Sequence, residues 1–148
     1  MFKFKLQKVL DYRENVEKQG KEDFANKLMK FNNIKTALNE MILKKKETRD
    51  KNYISKFKTS NDFIVFQRYV GYLDNSIEEK RNMLSEAERI LERARLELIK
   101  NTKDKKIIEI LKESAFEEYI DNDNRVEQKK LDDIAINSYI KLLKGGER

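Results

Sequence analysis

The side chains of this sequence that could do chemistry are carboxylates. Asp and Glu supply 27 of the 148 residues, whereas the chain has no histidine and no cysteine. Their absence excludes thiolate nucleophiles, disulfides and zinc–thiolate sites, and it removes the commonest acid–base group and metal ligand. An enzyme built from this chain would therefore depend on carboxylates, acting alone or through a metal that they bind.

Three pairs of adjacent acidic residues are the candidates for such chemistry: Glu78–Glu79, Glu117–Glu118 and Asp132–Asp133. Neighbouring residues on a helix diverge by about 100° around its axis, so no pair converges on one substrate atom unaided. None of the four glycines lies in a phosphate-binding motif. We therefore predict a protein that is not an enzyme, with no cofactor and no metal site.

The overall composition is typical of long helices. Charged residues make up 41% of the chain and apolar residues 39%, with no proline and four glycines. Because proline breaks helices and glycine costs about 1 kcal/mol inside one, such a chain can stay helical over long distances. No apolar run is long enough to span a membrane, and the N-terminus lacks a signal-peptide pattern, so we expect a cytoplasmic protein.

The second half of the chain has the strongest structural signal. From Phe63 to Leu98, apolar residues recur in alternating steps of three and four, and Lys80 is the single polar member. A repeat of this period predicts the seam of a coiled coil. Residues spaced in this way stay on one face, towards a partner helix, only if the two helices supercoil around each other. The seam positions are Phe63, Phe66, Val70, Leu73, Ile77, Lys80, Leu84, Ala87, Leu91, Ala94 and Leu98.

A looser apolar stripe in the first half predicts another amphipathic helix. Its members recur at three- and four-residue steps from Leu6 to Ile42, with one glycine interrupting them. The stretch 56–62 breaks the pattern and contains Ser60 and Asn61, either of which could cap a helix N-terminus. Two such helices with a short break between them favour an antiparallel hairpin, in which each helix buries the stripe of the other.

We therefore predict an all-α fold, a single domain of residues 1–148 in which two long helices form an antiparallel coiled-coil hairpin. Helix one is expected at about 3–57, the turn at about 58–62 and helix two at about 62–144. Folding there pairs position i with roughly 119 minus i, so the longer second helix projects by about 25 residues, or about 40 Å. Internal burial of the stripe favours a monomer, whereas the projecting amphipathic helix is expected to need a partner.

Positive charge is concentrated in the predicted first helix. The net charge is +6, and residues 1–60 hold 16 basic and 8 acidic groups. Such a patch could neutralise several phosphates, which leaves a nucleic acid or an anionic membrane surface as an alternative partner, although no recognisable nucleic-acid-binding module accompanies it. The charge is densest near the predicted turn, at Lys44, Lys45, Lys46, Arg49, Lys51, Lys56 and Lys58.

Two stretches near the ends of the sequence follow a recognisable pattern. The first contains Phe2, Phe4, Leu6, Gln7, Val9, Leu10, Asp11, Tyr12, Arg13 and Glu17. The second runs from Asn124 to Asp133 as an arginine followed by an acidic-Gln-Lys run and paired acids. Together they resemble the opening and the tail of the flagellar export protein FliJ family, and the resemblance covers essentially the whole chain.

The resemblance implies a coiled-coil component of the flagellar type III export apparatus, similar to the central stalk of rotary ATPases. The partners that it implies are all proteins: the hexameric export ATPase, the membrane-embedded export gate and the export chaperones. It also implies a peripheral location at the cytoplasmic face of the inner membrane, reached through the export apparatus.

The family's gate-contacting surface aligns here with Tyr69, Leu73, Ser76 and Lys80, although the family leads one to expect histidine at the last position. The four positions form one ridge beside the seam, where we expect Leu73 and Lys80 to be partly buried. Two structural roles compete with gate binding. Leu73 would then be a core residue, and Lys80 would fix the helix register, with Glu40 opposite it.

The contact with the ATPase ring is expected on the projecting part of helix two, because no intrachain partner covers it. A solvated helix with no binding role is the alternative. The candidate ATPase-binding residues are Arg125, Gln128, Lys129, Asp132 and Asp133.

Overall fold

The computed structural model describes residues 1–50 and 56–145 and contains two long helices. Helix α1 is Gln7–Asp50, with 44 residues, and α2 is Ser60–Gly145, with 86 residues. The helices pack against each other, and the described residues contain no strand. The predicted all-α coiled-coil hairpin with a longer second helix is thus confirmed. The sequence predicts that helix one continues to about residue 57. Residues 51–55 of that segment, including Lys51 of the basic patch, lie outside the described residues.

The residues form two compact units. We call Met1–Asn15 with Lys103–Arg148 the terminal unit, and Val16–Thr102 the central unit. Each unit contains a segment of α1 and a segment of α2.

The predicted seam of α2 is the face that packs on α1 in the central unit. Every seam position from Phe66 to Leu98 is buried or half-buried, whereas Phe63, at the first turn of α2, is 47% exposed. Burying these apolar side chains supplies the main favourable free energy of folding. The most deeply buried apolar residues of the central unit are Leu38, Val70, Leu73, Ile77 and Ala94.

The seam of α1 is a strict heptad repeat, although the sequence pattern looks loose. Twelve positions from Leu10 to Thr48 alternate in steps of three and four, and all are buried or half-buried. Polar residues occupy several of these positions, which is why the apolar pattern alone does not reveal the repeat. The positions are Leu10, Arg13, Glu17, Gly20, Phe24, Lys27, Phe31, Ile34, Leu38, Met41, Lys45 and Thr48.

Polar contacts between the helices report the pairing register inside each unit. Lys45 forms an ion pair with Asp74 in the central unit, and Arg13 Nη1 lies 3.1 Å from Asp104 Oδ2 in the terminal unit. The residue numbers add to 119 and 117 in these pairs. Both values agree with the predicted pairing of position i with roughly 119 minus i.

Glu17 is a buried carboxylate in the seam of the central unit. The residue is 7% exposed, and its Oε1 accepts a hydrogen bond from Thr102 Oγ1 at 3.2 Å. Lys21 Nζ, one helical turn along α1, lies 3.2 Å from the same oxygen. A buried charge needs such partners because it has lost its hydration.

A capping box starts α2. The Asp62 backbone N–H donates to Thr59 Oγ1 at 3.2 Å, while Asp62 Oδ2 accepts from the backbone N–H groups of Lys58 and Thr59 at 3.0 Å. The cap is therefore Thr59, whereas the sequence predicted Ser60 or Asn61, because the carboxylate three residues after Thr59 completes the reciprocal pair. The backbone N–H of Thr59, then that of Lys58 and the Thr59 side chain, lower the pKa of Asp62.

Candidate partner-binding surfaces

The last part of α2 is a helix that no other described residue of the terminal unit covers. We call residues 120–144 the tail, and every residue in it is exposed. The last half-buried position before it is Tyr119, whose hydroxyl accepts a hydrogen bond from the amino group of Met1 at 3.2 Å. Phe2 also packs there, edge-on to Phe116 with ring centroids 5.3 Å apart. Packing by the N-terminal residues thus ends where the tail begins.

The heptad repeat continues into the tail without a partner. Beyond Tyr119, its first positions are mostly polar and its last three are apolar, with Ile136, Ile140 and Leu143 exposed by 56%, 42% and 58%. Exposed apolar side chains at coiled-coil spacing favour a helical partner. The continued positions are Asn122, Val126, Lys129, Asp133, Ile136, Ile140 and Leu143.

The five residues predicted to contact the ATPase ring lie on one side of the tail. At about 100° per residue they span an arc of about 140°, and all five are exposed. Gln128 Nε2 donates to Asp132 Oδ1 at 2.9 Å, one turn away, so these two side chains are held together. Arg125, Lys129 and Asp133 flank the pair. The arrangement offers both charge signs on one helical face.

The four residues predicted to contact the gate differ in their exposure. Tyr69 is 37% exposed and Ser76 and Lys80 are half-buried, whereas Leu73 is only 2% exposed. Leu73 is therefore buried more deeply than expected, because it lies in the centre of the seam. Its side chain supports the packing of α1 on α2 and offers almost no surface to a partner.

Tyr72 is an exposed aromatic residue on the same ridge that the sequence reasoning did not single out. It is 62% exposed and lies one turn from Tyr69 and from Ser76 on the face beside the seam. The sequence alone could have indicated this exposure, because Tyr72 is aromatic and lies outside the heptad positions of the seam. We call Tyr69, Tyr72, Ser76 and Lys80 the outward ridge. Gly71 lies on another face of α2, about 100° around the helix from Tyr72, and a Cβ there would meet nothing within 4 Å.

The predicted pairing of Lys80 with Glu40 does not form among the described residues. Glu40 is exposed, and the cross-helix ion pair of this region joins Lys45 to Asp74. Lys45 and Lys80 are both half-buried seam residues, but of the two it is Lys45 that forms an ion pair with the facing helix. The register role expected of Lys80 thus falls to Lys45 in the structure.

A third surface lies where α1 and α2 are connected in the central unit. Phe57 packs against Phe63 and Phe66, with ring centroids 5.8 Å and 5.2 Å apart. Beside this cluster Ile64 and Val65 are exposed, by 47% and 57%. The basic patch predicted from the sequence includes Lys56 and Lys58 at this end and extends along α1 to Lys44, and of its described members Lys45 alone is half-buried.

The described residues contain no group of three or more acidic side chains placed to hold a metal ion. No helix among them is long and apolar enough to cross a membrane. Two long helices that pack together through heptad seams define a coiled-coil protein.

Comparison with known proteins identifies the family. The family model described as flagellar FliJ protein matches residues 2–144, so this chain belongs to the FliJ family and is a component of flagellar type III export. It is 27% identical to the flagellar FliJ protein of Bacillus subtilis, over 94% of this chain and 96% of that one. A solved YscO homologue from Chlamydia trachomatis matches all of both chains with a TM-score of 0.66 and 16% identity, which shows a shared fold. The resemblance seen in the sequence is confirmed.

Proposed function

We propose that this protein is a non-enzymatic stalk of the flagellar export apparatus. Its tail binds the hexameric export ATPase, its outward ridge contacts the export gate, and it also meets export chaperones. It works at the cytoplasmic face of the inner membrane as a peripheral part of that apparatus. Nucleotide hydrolysis belongs to the ATPase, since this chain has no phosphate-binding motif.

The observation that supports ATPase binding is the exposure of the whole tail. A helix of 25 residues with exposed Ile136, Ile140 and Leu143 keeps apolar surface in water until a partner covers it. The charged face formed by the five predicted residues would orient the tail in the ring, because complementary charges fix register and partner choice.

Deletion of residues 120–148 tests the ATPase contact. The full chain is expected to bind the purified ATPase and raise its rate of ATP hydrolysis, and the truncated chain is expected to do neither. Circular dichroism would show that the truncated chain keeps its paired helices, because α1 packs before the tail begins. Undiminished stimulation by the truncated chain would rule out the tail as the contact.

Point variants on the two parts of the tail separate orientation from affinity. Ile136→Ser with Ile140→Ser removes apolar contact area and is expected to weaken ATPase binding by at least tenfold. Arg125→Gln with Lys129→Gln removes charge and is expected to act mainly on the association rate, with strong dependence on salt. Leu96→Ser is the matched control, because Leu96 is 58% exposed on α2 outside the tail.

The outward ridge supports the gate contact because it presents two exposed aromatic side chains on one face of α2. Tyr72→Ser is expected to reduce binding to the isolated cytoplasmic part of the gate protein, while ATPase stimulation stays unchanged. The same control, Leu96→Ser, should alter neither. Normal gate binding by both Tyr72→Ser and Tyr69→Ser would place the contact elsewhere.

A further inference from the structure

The surface at the connection of α1 and α2 combines exposed apolar residues with basic charge. Phe63, Ile64 and Val65 are consecutive and are exposed by 47%, 47% and 57%. Consecutive helical residues are about 100° apart, so these three side chains cover about 200° of the circumference of α2. Apolar exposure near the start of α2 therefore covers more than half of its circumference instead of forming one stripe along it.

Positive charge lies at the same end of the two helices. Lys58 precedes Phe63 by five residues, and the pairing register places Arg49 about 9 Å, and Lys44 and Lys46 about 15 Å, along the axis from Ile64. The described residues from 44 to 50 and from 56 to 68 include seven basic and three acidic side chains. Lys45 is paired with Asp74 across the two helices, whereas Lys44, Lys46 and Arg49 are exposed. We call the following set the connection surface: Lys44, Lys46, Arg49, Lys58, Phe63, Ile64 and Val65.

We propose that the connection surface binds an anionic lipid bilayer. Phe63, Ile64 and Val65 enter the boundary between headgroups and acyl chains, while the surrounding lysines and arginine lie among the phosphates. The binding is peripheral, with no helix crossing the bilayer. This contact goes beyond the proposed stalk function and is independent of the tail and of the outward ridge.

Shape and charge favour a bilayer over the other two classes of partner. A groove on a protein accepts one face of a helix, with apolar residues at i, i+3, i+4 and i+7, whereas a bilayer accepts an apolar helix end from several sides. A nucleic acid would use the lysines but would leave Ile64 and Val65 in water. An anionic bilayer uses both, since apolar insertion and attraction to acidic headgroups add together.

Flotation of the full chain with lipid vesicles tests the proposal. Binding is expected to vesicles that contain phosphatidylglycerol, to be weak with phosphatidylcholine alone, and to fall as salt rises. The double change Lys44→Gln and Lys46→Gln is expected to lower the affinity by about 30-fold, from about fivefold for each lysine. Ile64→Ser with Val65→Ser is expected to lower it by at least tenfold.

Matched controls distinguish this surface from general charge and general exposure. Lys8→Gln with Lys18→Gln removes the same charge from exposed positions of α1 elsewhere, and Leu96→Ser removes an equally exposed apolar side chain. Both controls should bind vesicles nearly as the unchanged chain does. The Ile64 and Val65 variants should still stimulate the export ATPase, which separates this contact from the proposed tail contact.

Three results would overturn the proposal. The first is absence of binding to phosphatidylglycerol vesicles by the unchanged chain. The second is full binding by the Ile64 and Val65 double variant, which would reduce the contact to charge alone. The third is duplex DNA displacing the vesicles at low concentration, which would assign the lysines to a nucleic acid.

Discussion

Two stretches of α2 have the same pattern and opposite surroundings. In the central unit Val70, Leu73 and Ile77 are at most 6% exposed, because α1 packs over them. In the tail Ile136 and Ile140 continue the same heptad spacing and are 56% and 42% exposed. Both stretches are therefore helical, but only the stretch in the central unit is buried.

The difference separates residues that hold the fold from residues available to a partner. A buried seam residue stabilises the chain by excluding water, whereas an exposed one at the same repeat position contributes little until something covers it. Changes in the paired region should therefore act on stability, and changes in the tail should act on binding.

The largest expected effect is that of Leu73→Ala. It should lower the free energy of unfolding by about 3 kcal/mol, because it leaves a cavity at a residue that is 2% exposed. Ile136→Ala in the tail should lower it by about 0.5 kcal/mol or less. Urea unfolding followed by circular dichroism measures both. An equal loss at Ile136 would break the comparison, because it would mean that the tail is covered in solution.

The next effect concerns Glu17, the buried carboxylate in the seam of α1. Glu17→Ala should lower the free energy of unfolding by about 2 kcal/mol, because the packing of a buried side chain in the seam is lost together with the hydrogen bond from Thr102 Oγ1. Glu17→Leu should restore most of this loss, since an apolar side chain suits the same site. The control Lys21→Ala, at the exposed end of the ion pair, should cost about 0.5 kcal/mol. Equal losses for Glu17→Ala and Lys21→Ala would show that the carboxylate is solvated.

Two glycines on the two faces of the paired region should respond differently. Gly71→Ala should raise the free energy of unfolding by about 1 kcal/mol, because a Cβ there meets open space and alanine is the better helix former. Gly20→Ala should raise the free energy of unfolding by less, since a Cβ at residue 20 would lie 3.4 Å from Leu98 Cδ1 and Asn101 Nδ2 in the seam. Thermal unfolding would show the order, and a larger gain at Gly20 would contradict it.

The smallest effect lies in the capping box that starts α2. Because the N–H groups of Thr59 and Lys58 lower the pKa of Asp62, its carboxylate stabilises the fold above the ordinary value of 3.8. That contribution is lost as the pH falls through the lowered pKa of the folded state. Asp62→Asn should therefore melt below the unchanged chain at neutral pH, and the gap should close in acid. A gap that stays constant with pH would contradict this role.

The sequence predicted the seam of α2, and with it the positions of the candidate site residues on that helix, better than it predicted the seam of α1. The α2 seam is readable because ten of its eleven members are apolar. The α1 seam is not, because Arg13, Glu17, Lys27 and Lys45 occupy heptad positions. Three of them, Arg13, Glu17 and Lys45, have partners on the other helix, which the pattern of one helix does not show. The ATPase, gate and chaperone contacts, and the residues assigned to them, stay predictions.

The sequence by itself determined two long helices, their approximate pairing register and the length by which α2 outruns α1. Local spacing and composition suffice for these features, since they depend on helix propensity and on counting residues from the break. The tertiary structure decided which polar side chains enter the seam and that Leu73 is closed to solvent while Tyr72 is open. These features depend on which atoms of the facing helix lie within contact distance, and a one-dimensional pattern does not contain that information.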